Sequence, residues 1–317
     1  MLKMSNSESK EEFYSSPLKL KKQKAEAYFE RLWLVDEEQF NPENNCMGRL
    51  RVERTIELMH DYLSPETKIV SDLGCGYGTL SKHLRDKGAK VDAIDIAKNA
   101  LKHVENEENI TPLQEYVPYT HLEDDHYDLV LSTELIAYLP KEDYRLYFSE
   151  LSRLVKKDGF VVCSTPIDIY SDDALQRFAS LAETEFDIQH WVFGYHYLWI
   201  KFYGLLRAPA SFVKAARDPR FRKEQLDKRK GLSRLWFRWN SSLSFLWIPL
   251  KWLFQPLVAL VRNNKKFLLN LESWSRFIWQ EQAISHAMFI GKRRPLMQPP
   301  PDNLAPIERK AKKIVWE

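Results

Sequence analysis

Three of the chain's ten glycines fall within five positions, in the run Asp72-Leu73-Gly74-Cys75-Gly76-Tyr77-Gly78. This cluster constrains the fold more than any other feature of the 317 residues. An apolar run, Lys68 to Leu73, leads into it, and a helix-like stretch beginning Thr79-Leu80-Ser81 leaves it. A strand that bends sharply into a helix beside a ligand needs glycine, because a Cβ would displace the ligand. Two glycine-rich loops are excluded by spacing. A phosphate-binding loop has four residues between its glycines and then Gly-Lys-Ser/Thr, and no such lysine follows here. The dinucleotide fingerprint needs glycine where Thr79 stands, although the two loops are related in design. What remains is acidic-x-Gly-x-Gly-x-Gly.

The surrounding pattern predicts an α/β fold. Short apolar runs at Lys68–Leu73, Lys90–Ile96, Asp128–Ser132 and Phe160–Thr165 alternate with amphipathic stretches at Thr79–Lys87, Ala97–Glu105 and Lys141–Lys156. A weaker strand is expected near Ile110–Leu113, and further strands at Phe186–Phe193 and His286–Lys292. Strand-length runs separated by helix-length segments are the mark of a doubly wound sheet with a parallel core. Upstream, Glu26–Val35 and Cys46–Leu63 carry helical periodicity, broken by the Asn/Pro-rich stretch Asn41–Asn45 and ended by Ser64-Pro65.

On these residues the chain resembles the class I S-adenosylmethionine-dependent methyltransferases, in the branch acting on small molecules such as quinone precursors. The acidic residue and glycine loop are the first mark. Asp95, at the end of the run Val91-Asp92-Ala93-Ile94-Asp95-Ile96, is the second. The third is His126 to Ser132, similar to the family's fourth strand, and the fourth is Leu151 to Phe160, similar to its helix, turn and fifth strand. The resemblance covers roughly residues 45 to 195 and 284 to 294. It implies a Rossmann-like sheet of seven strands with S-adenosyl-L-methionine as cofactor. By position, Asp72 would face the cofactor's amino-acid end and Gly74, Gly76 and Gly78 would form the loop beneath it. Asp95 would accept both ribose hydroxyls, since a carboxylate offers two oxygens to two vicinal donors. Gln114 and Glu115 are alternatives for the adenine amino group.

An activated methyl group asks the protein only to align the acceptor and exclude water, so no single catalytic signature is expected. The acceptor face lies beyond the carboxyl ends of the fourth and fifth strands. Family members that methylate quinone precursors show Glu-x-x-Glu-His there. This chain keeps Glu134 but has Ala137-Tyr138 in place of Glu-His, so no metal is assigned. Glu134 and Tyr138 are candidates to orient an acceptor, with packing and capping as the alternative. His190, Tyr195 and His196 are the other polar groups at this end of the chain, and His196 is the candidate base.

The segment between the last two strands is unusual. Eight of the ten tryptophans lie between Trp191 and Trp279, and residues 201–238 hold twelve Lys/Arg against three Asp/Glu. From Trp239 to Val261 the only charge is Lys251. Three readings compete: an amphipathic surface on an anionic membrane, formed through 201–262; a helical lid over the acceptor; and a true span, weakened by Pro249, Lys251 and Pro256. A single-stranded nucleic-acid groove fits poorly, because the Trp239–Val261 run is too apolar for a stacking groove. A net charge of +3 adds no argument for nucleic acid.

The expected organisation is an N-terminal extension and helix (1–44), the core (45–195), a helical insertion (196–283), the last core strand (284–294) and a flexible tail (295–317). Three widely spaced cysteines, Cys46, Cys75 and Cys163, form no disulfide or zinc pattern, and residues 1–24 lack a signal-peptide core. These point to the cytoplasm or the inner face of a membrane. The expected activity is methyl transfer to a lipid-like or lipid-linked small molecule. A soluble-metabolite enzyme and a non-catalytic cofactor-binding scaffold are the rivals.

Overall fold

The computed structural model describes residues 8–63, 68–171, 173–227 and 229–294. The tail at 295–317 and the expected helix stop at Ser64-Pro65 lie outside them. The chain opens with α1 (Glu8–Asp36) and α2 (Cys46–His60). It then alternates β1 (Ile69–Leu73), α3 (Thr79–Asp86), β2 (Lys90–Asp95), α4 (Lys98–Leu101), β3 (Ile110–Gln114) and β4 (Tyr127–Thr133). Next come α5 (Tyr144–Leu154), β5 (Val155–Pro166), α6 (Ala174–Glu185) and β6 (Phe186–Gly194). Five helices follow: α7 (Tyr197–Arg217), α8 (Pro219–Asp227), α9 (Gly231–Ser242), α10 (Trp247–Asn263) and α11 (Lys265–Trp279). Strand β7 (His286–Arg293) closes the described chain.

The seven strands form one sheet in the order β3-β2-β1-β4-β5-β7-β6. Neighbours from β3 to β5 run parallel, and β7 lies antiparallel to β5, with His286 opposite Pro166 and Lys292 opposite Phe160. This is the doubly wound, Rossmann-like sheet that the strand–helix alternation predicts. The order reverses beside β1, which places a crevice at the carboxyl ends of β1 and β4, the usual ligand position in open α/β sheets. Central strands buried on both faces read as continuous apolar runs. Val70, Leu129, Leu131, Val162 and Ile290 accordingly share one core cluster with Leu80 and Leu84 of α3.

Several boundaries differ from expectation. The expected Glu26–Val35 helix is the end of a longer one, because α1 runs 29 residues from Glu8. The expected Ala97–Glu105 helix holds regular α geometry only over Lys98–Leu101. In place of the single helix expected over Lys141–Lys156, a 3₁₀ turn precedes α5, and β5 begins at Val155.

The described chain divides into two compact units. The first comprises residues up to Asn44, Arg51–Phe193 and His286 onward; the second comprises Asn45–Leu50 and Gly194–Ser285. Within the second, Cys46, Leu50, Trp199, Leu206, Val261 and Leu268 make one core, and Phe212, Ala215 and Phe237 make another. The apolar run Gly231–Arg262 is two helices rather than one. Ser241 and Ser242 bond back to the carbonyls of Phe237 and Arg238, at 2.7 and 3.1 Å, where α9 ends. Pro249 falls in the first turn of α10, where its missing N–H would have had no helical partner anyway.

Candidate active site

The glycine loop takes the backbone shape its sequence requires. Gly74, Gly76 and Gly78 all have positive φ, at 76°, 53° and 66°. A Cβ at Gly78 would stand 2.1 Å from Cγ1 of Val104, and one at Gly74 would stand 3.1 Å from Leu135. The loop is stitched to the end of β2: the amides of Gly74 and Cys75 both donate to the Ile94 carbonyl, at 2.8 and 2.9 Å. Asp95 continues this seam. Its Oδ2 accepts from the Gly76 amide at 3.2 Å and its Oδ1 from the Ala97 amide at 2.9 Å.

Asp72 lies beneath the loop, 2% exposed, with its Oδ2 accepting from the Ser81 hydroxyl at 2.6 Å. Burial pushes its carboxyl up to about 6, against the pull of the Ser81 hydrogen bond, and the nearby charge of Asp95 adds to the rise. Burial likewise pushes Asp95 up to about 6, although the amides of Ala97 and Gly76 act the other way. Two carboxylates sharing a desolvated crevice repel each other and favour a cationic ligand. S-adenosylmethionine, with its sulfonium and ammonium charges, suits that donor set, and the side-chain-free loop leaves room for close approach.

Helix α1 frames the loop. Trp33 is buried, stacks on Phe40 with centroids 4.9 Å apart, and lies 5.2 Å from the Tyr77 ring. Its ring edge would come within 3.8 Å of a Cβ at Gly76. Glu30 accepts from the amide of Lys98 and the side chain of Asn99, just past Asp95. Gln114 is held by the Ile96 carbonyl at 3.0 Å and by Glu26 at 2.9 Å. Glu115 is instead engaged with His121. The participation of α1 has no motif in the sequence. Its one visible signal is the apolar and aromatic face Tyr28, Phe29, Leu32 and Trp33.

At the carboxyl end of β4, Glu134 takes a left-handed conformation, φ 65°, and its amide donates to the Ser164 carbonyl at 2.9 Å. Its Oε1 accepts from the Ser164 hydroxyl at 2.9 Å and lies 2.6 Å from Nε2 of His286; Arg51 pairs with Oε2. Burial works to raise its carboxyl, but His286, Arg51 and Ser164 outweigh it and hold Glu134 down to about 2. Glu134 is therefore a carboxylate at any working pH. Because Leu135 packs on Gly74, this cluster borders the loop.

The remaining candidates are placed elsewhere. Tyr138 is half exposed, with its ring edge-on to Phe29. His190 is nearly buried, with Nδ1 3.4 Å from the Tyr62 hydroxyl. His196 is buried inside the second unit, with Nδ1 3.0 Å from the Ser285 hydroxyl and Nε2 3.7 Å from Glu272. The amide of Tyr195 donates to that same Glu272. This network ties the end of β6 to α11, which gives His196 a structural occupation. His286, which nothing in its local sequence singled out, is the histidine that meets Glu134.

Comparison with known proteins bears on the same residues. A family described as a methyltransferase domain matches residues 70–159, a stretch that contains Asp72, the glycine loop, Asp95 and Glu134. A ubiquinone biosynthesis O-methyltransferase of Hydrogenovibrio crunogenus is 28% identical over 131 residues, 39% of this chain and 54% of that protein. One from Bordetella avium is 31% identical over 139 residues, 42% of this chain and 55% of that protein. The chain thus spans about half the length of the curated relatives it matches. Among solved structures, geranyl diphosphate C-methyltransferase from Streptomyces coelicolor A3(2) aligns at a TM-score of 0.42 with 15% identity, over 78% of this chain and 81% of that one.

Proposed function

We propose that this chain, whose residues 70–159 match a methyltransferase-domain family, transfers a methyl group from S-adenosylmethionine to a small, lipid-like or lipid-linked acceptor at a membrane surface. One observation carries the cofactor half of this reading. The buried carboxylate of Asp72 and the half-buried one of Asp95 flank a loop of three positive-φ glycines at the switch point of a doubly wound sheet. When bound there, the cofactor supplies a methyl already activated on sulfur. Asp72 offsets charge at its amino-acid end, Asp95 binds the ribose hydroxyls, and Gly74, Gly76 and Gly78 let the backbone come close. The chain's remaining tasks are to orient the acceptor and keep water out.

The names of the curated relatives favour oxygen as the accepting atom and a quinone precursor as the acceptor class. The second unit supports the membrane half. On α9, Leu232, Leu235, Trp236 and Trp239 recur at helical spacing and all face solvent. On α10, Trp252, Leu253, Leu257 and Leu260 do the same, flanked by Lys251 and Arg262. The stretch Ser244–Asn263 is long and apolar enough to cross a bilayer, yet only 6% of its apolar window is buried within the protein. Exposed tryptophan and leucine beside lysine and arginine fit an interface with anionic lipid. In this reading the chain works from the cytoplasmic side, peripheral to the membrane.

The experiment is transfer of labelled methyl from S-adenosylmethionine into a fractionated lysate, with Asp95→Ala as control. Label in the lipid fraction, lost in the variant, is the expected result. Label in water-soluble fractions alone would discard the acceptor class. No label despite cofactor binding by calorimetry would favour a non-catalytic scaffold. Co-sedimentation with phosphatidylglycerol vesicles tests the surface separately. Trp239→Ser/Trp252→Ser should weaken it about tenfold, whereas equal binding by both proteins would refute the membrane half. Point changes are preferable to removing Gly231–Arg262, because Phe237 and Val261 are core residues of the second unit.

A further inference from the structure

Glu134 is charged, tied to three partners and adjacent to the glycine loop. Two of its partners, Ser164 and His286, come from the carboxyl end of β5 and the first residue of β7, antiparallel neighbours in which His286 stands opposite Pro166 and Met288 opposite Ser164. The third, Arg51, comes from α2. The side chains of Glu134 and Arg51 are 25% and 35% exposed, so the cluster opens outward, whereas His286 is nearly buried. An ionised carboxylate 2.6 Å from Nε2 accepts a hydrogen there, so in the neutral imidazole the hydrogen sits on Nε2 and the lone pair on Nδ1. Among the described residues Nδ1 has no hydrogen-bond partner, and it is not among the sealed polar atoms.

We propose that His286 is the proton acceptor for a hydroxyl-bearing methyl acceptor, with Glu134 as the residue that positions it. This rests on the methyltransferase reading above and narrows it to O-methylation. The acceptor O–H gives its proton to Nδ1 of His286 and keeps the electron pair on oxygen. That pair forms the new O–CH₃ bond as the C–S bond of the sulfonium donor breaks, its electrons passing to sulfur. Glu134 sets the tautomer beforehand and stabilises the imidazolium that forms, without taking the proton itself. Ser164 and Arg51 saturate the carboxylate's other lone pairs, so that it cannot swing away.

The first test needs no cofactor. In ¹⁵N-labelled protein, the His286 ring should show a protonated Nε2 and a bare Nδ1, and Glu134→Gln should erode that preference while leaving the fold intact. A mixed tautomer in the wild type would overturn the proposal. The second test uses catechol, whose hydroxyls stay protonated at neutral pH, and thiophenol, which ionises largely unaided there. His286→Asn and His286→Gln, each keeping an amide that can bond Glu134, should lose about 100-fold or more in kcat on the catechol. They should keep cofactor affinity and thiophenol transfer within about threefold. Equal losses on both acceptors, or loss of cofactor binding, would make His286 structural and sink the idea. Full catechol turnover in both variants would do the same. Wild-type transfer to sulfur or nitrogen acceptors alone would overturn this inference and spare the methyltransferase reading. Transfer to none of them would end both.

Discussion

Replacing Gly78 by alanine tests why the loop has its glycines. Two costs are separable at this position. The φ of 66° imposes a left-handed backbone on a residue with a Cβ, worth about 1–2 kcal/mol. The new methyl also stands 2.1 Å from Cγ1 of Val104, a fully buried side chain that cannot withdraw, and such overpacking costs about 1–3 kcal/mol. Gly78→Ala should therefore lose roughly 3 kcal/mol in total. Val104→Ala removes the clashing atom and leaves its Cβ at 3.6 Å, an ordinary contact. By itself that change costs about 2 kcal/mol through lost burial and a small cavity. In the Val104→Ala background, Gly78→Ala should then cost only the backbone part, giving a favourable coupling of about 1–3 kcal/mol. Urea unfolding of the four proteins, with m-values checked for constancy, measures it. Additivity within about 0.5 kcal/mol would refute the steric half of the reasoning. A negligible effect of Gly78→Ala alone would refute both halves.

Asp72 predicts a pH dependence of definite sign. Its carboxyl lies above the unfolded value, so the folded state holds the proton more tightly than the unfolded chain. Protonation thus favours folding below about pH 4, and that contribution is lost as pH rises through about 6, a change near 3 kcal/mol at most. A cationic cofactor needs the ionised form, so the stabilisation it confers should grow between pH 5 and 7.5; thermal unfolding with and without S-adenosylmethionine tests this, and equal shifts at both values would contradict it. Tyr147→Phe removes a buried hydroxyl that donates to Ser132 at 2.7 Å. It should cost about 1 kcal/mol in urea unfolding with cofactor affinity unchanged. Asp128→Ala frees the amides of Lys68 and Ile69 at the start of β1 and the ammonium of Lys156. A loss of about 1–3 kcal/mol is expected, and a loss below about 0.5 would mean that water replaces the carboxylate there.

The doubly wound sheet was legible because its signals are local. Each strand is a short apolar run, each boundary carries a glycine or a polar break, and the loop needs residue types that only glycine satisfies. The seams were less legible. The extent of α4 was overestimated because Ala97–Glu105 reads as amphipathic throughout, whereas regular α geometry holds only over Lys98–Leu101 and the backbone goes on in turns from Lys102. The length of α1 was underestimated because its N-terminal half lacks an apolar stripe, although Lys21 reaches Asp143 across the fold. The apolar segment read as one run because hydrophobicity is summed along the chain, while the serines that break it act through single hydrogen bonds.

By itself, then, the sequence determined the sheet, the glycine loop, and the placing of Asp72 and Asp95 about one strand–helix unit apart, since each follows from neighbours within some twenty residues. Only the tertiary structure decided which histidine meets which carboxylate. The sequence offered His196 as a candidate and held no local signal for His286. Packing buries His196 on Ser285 within the second unit. The antiparallel return of β7 along β5 carries His286 to Glu134, 152 residues away in the chain. A contact of that kind depends on strand order and register, which are set by the packing of the whole sheet and leave no trace in the local pattern of either partner.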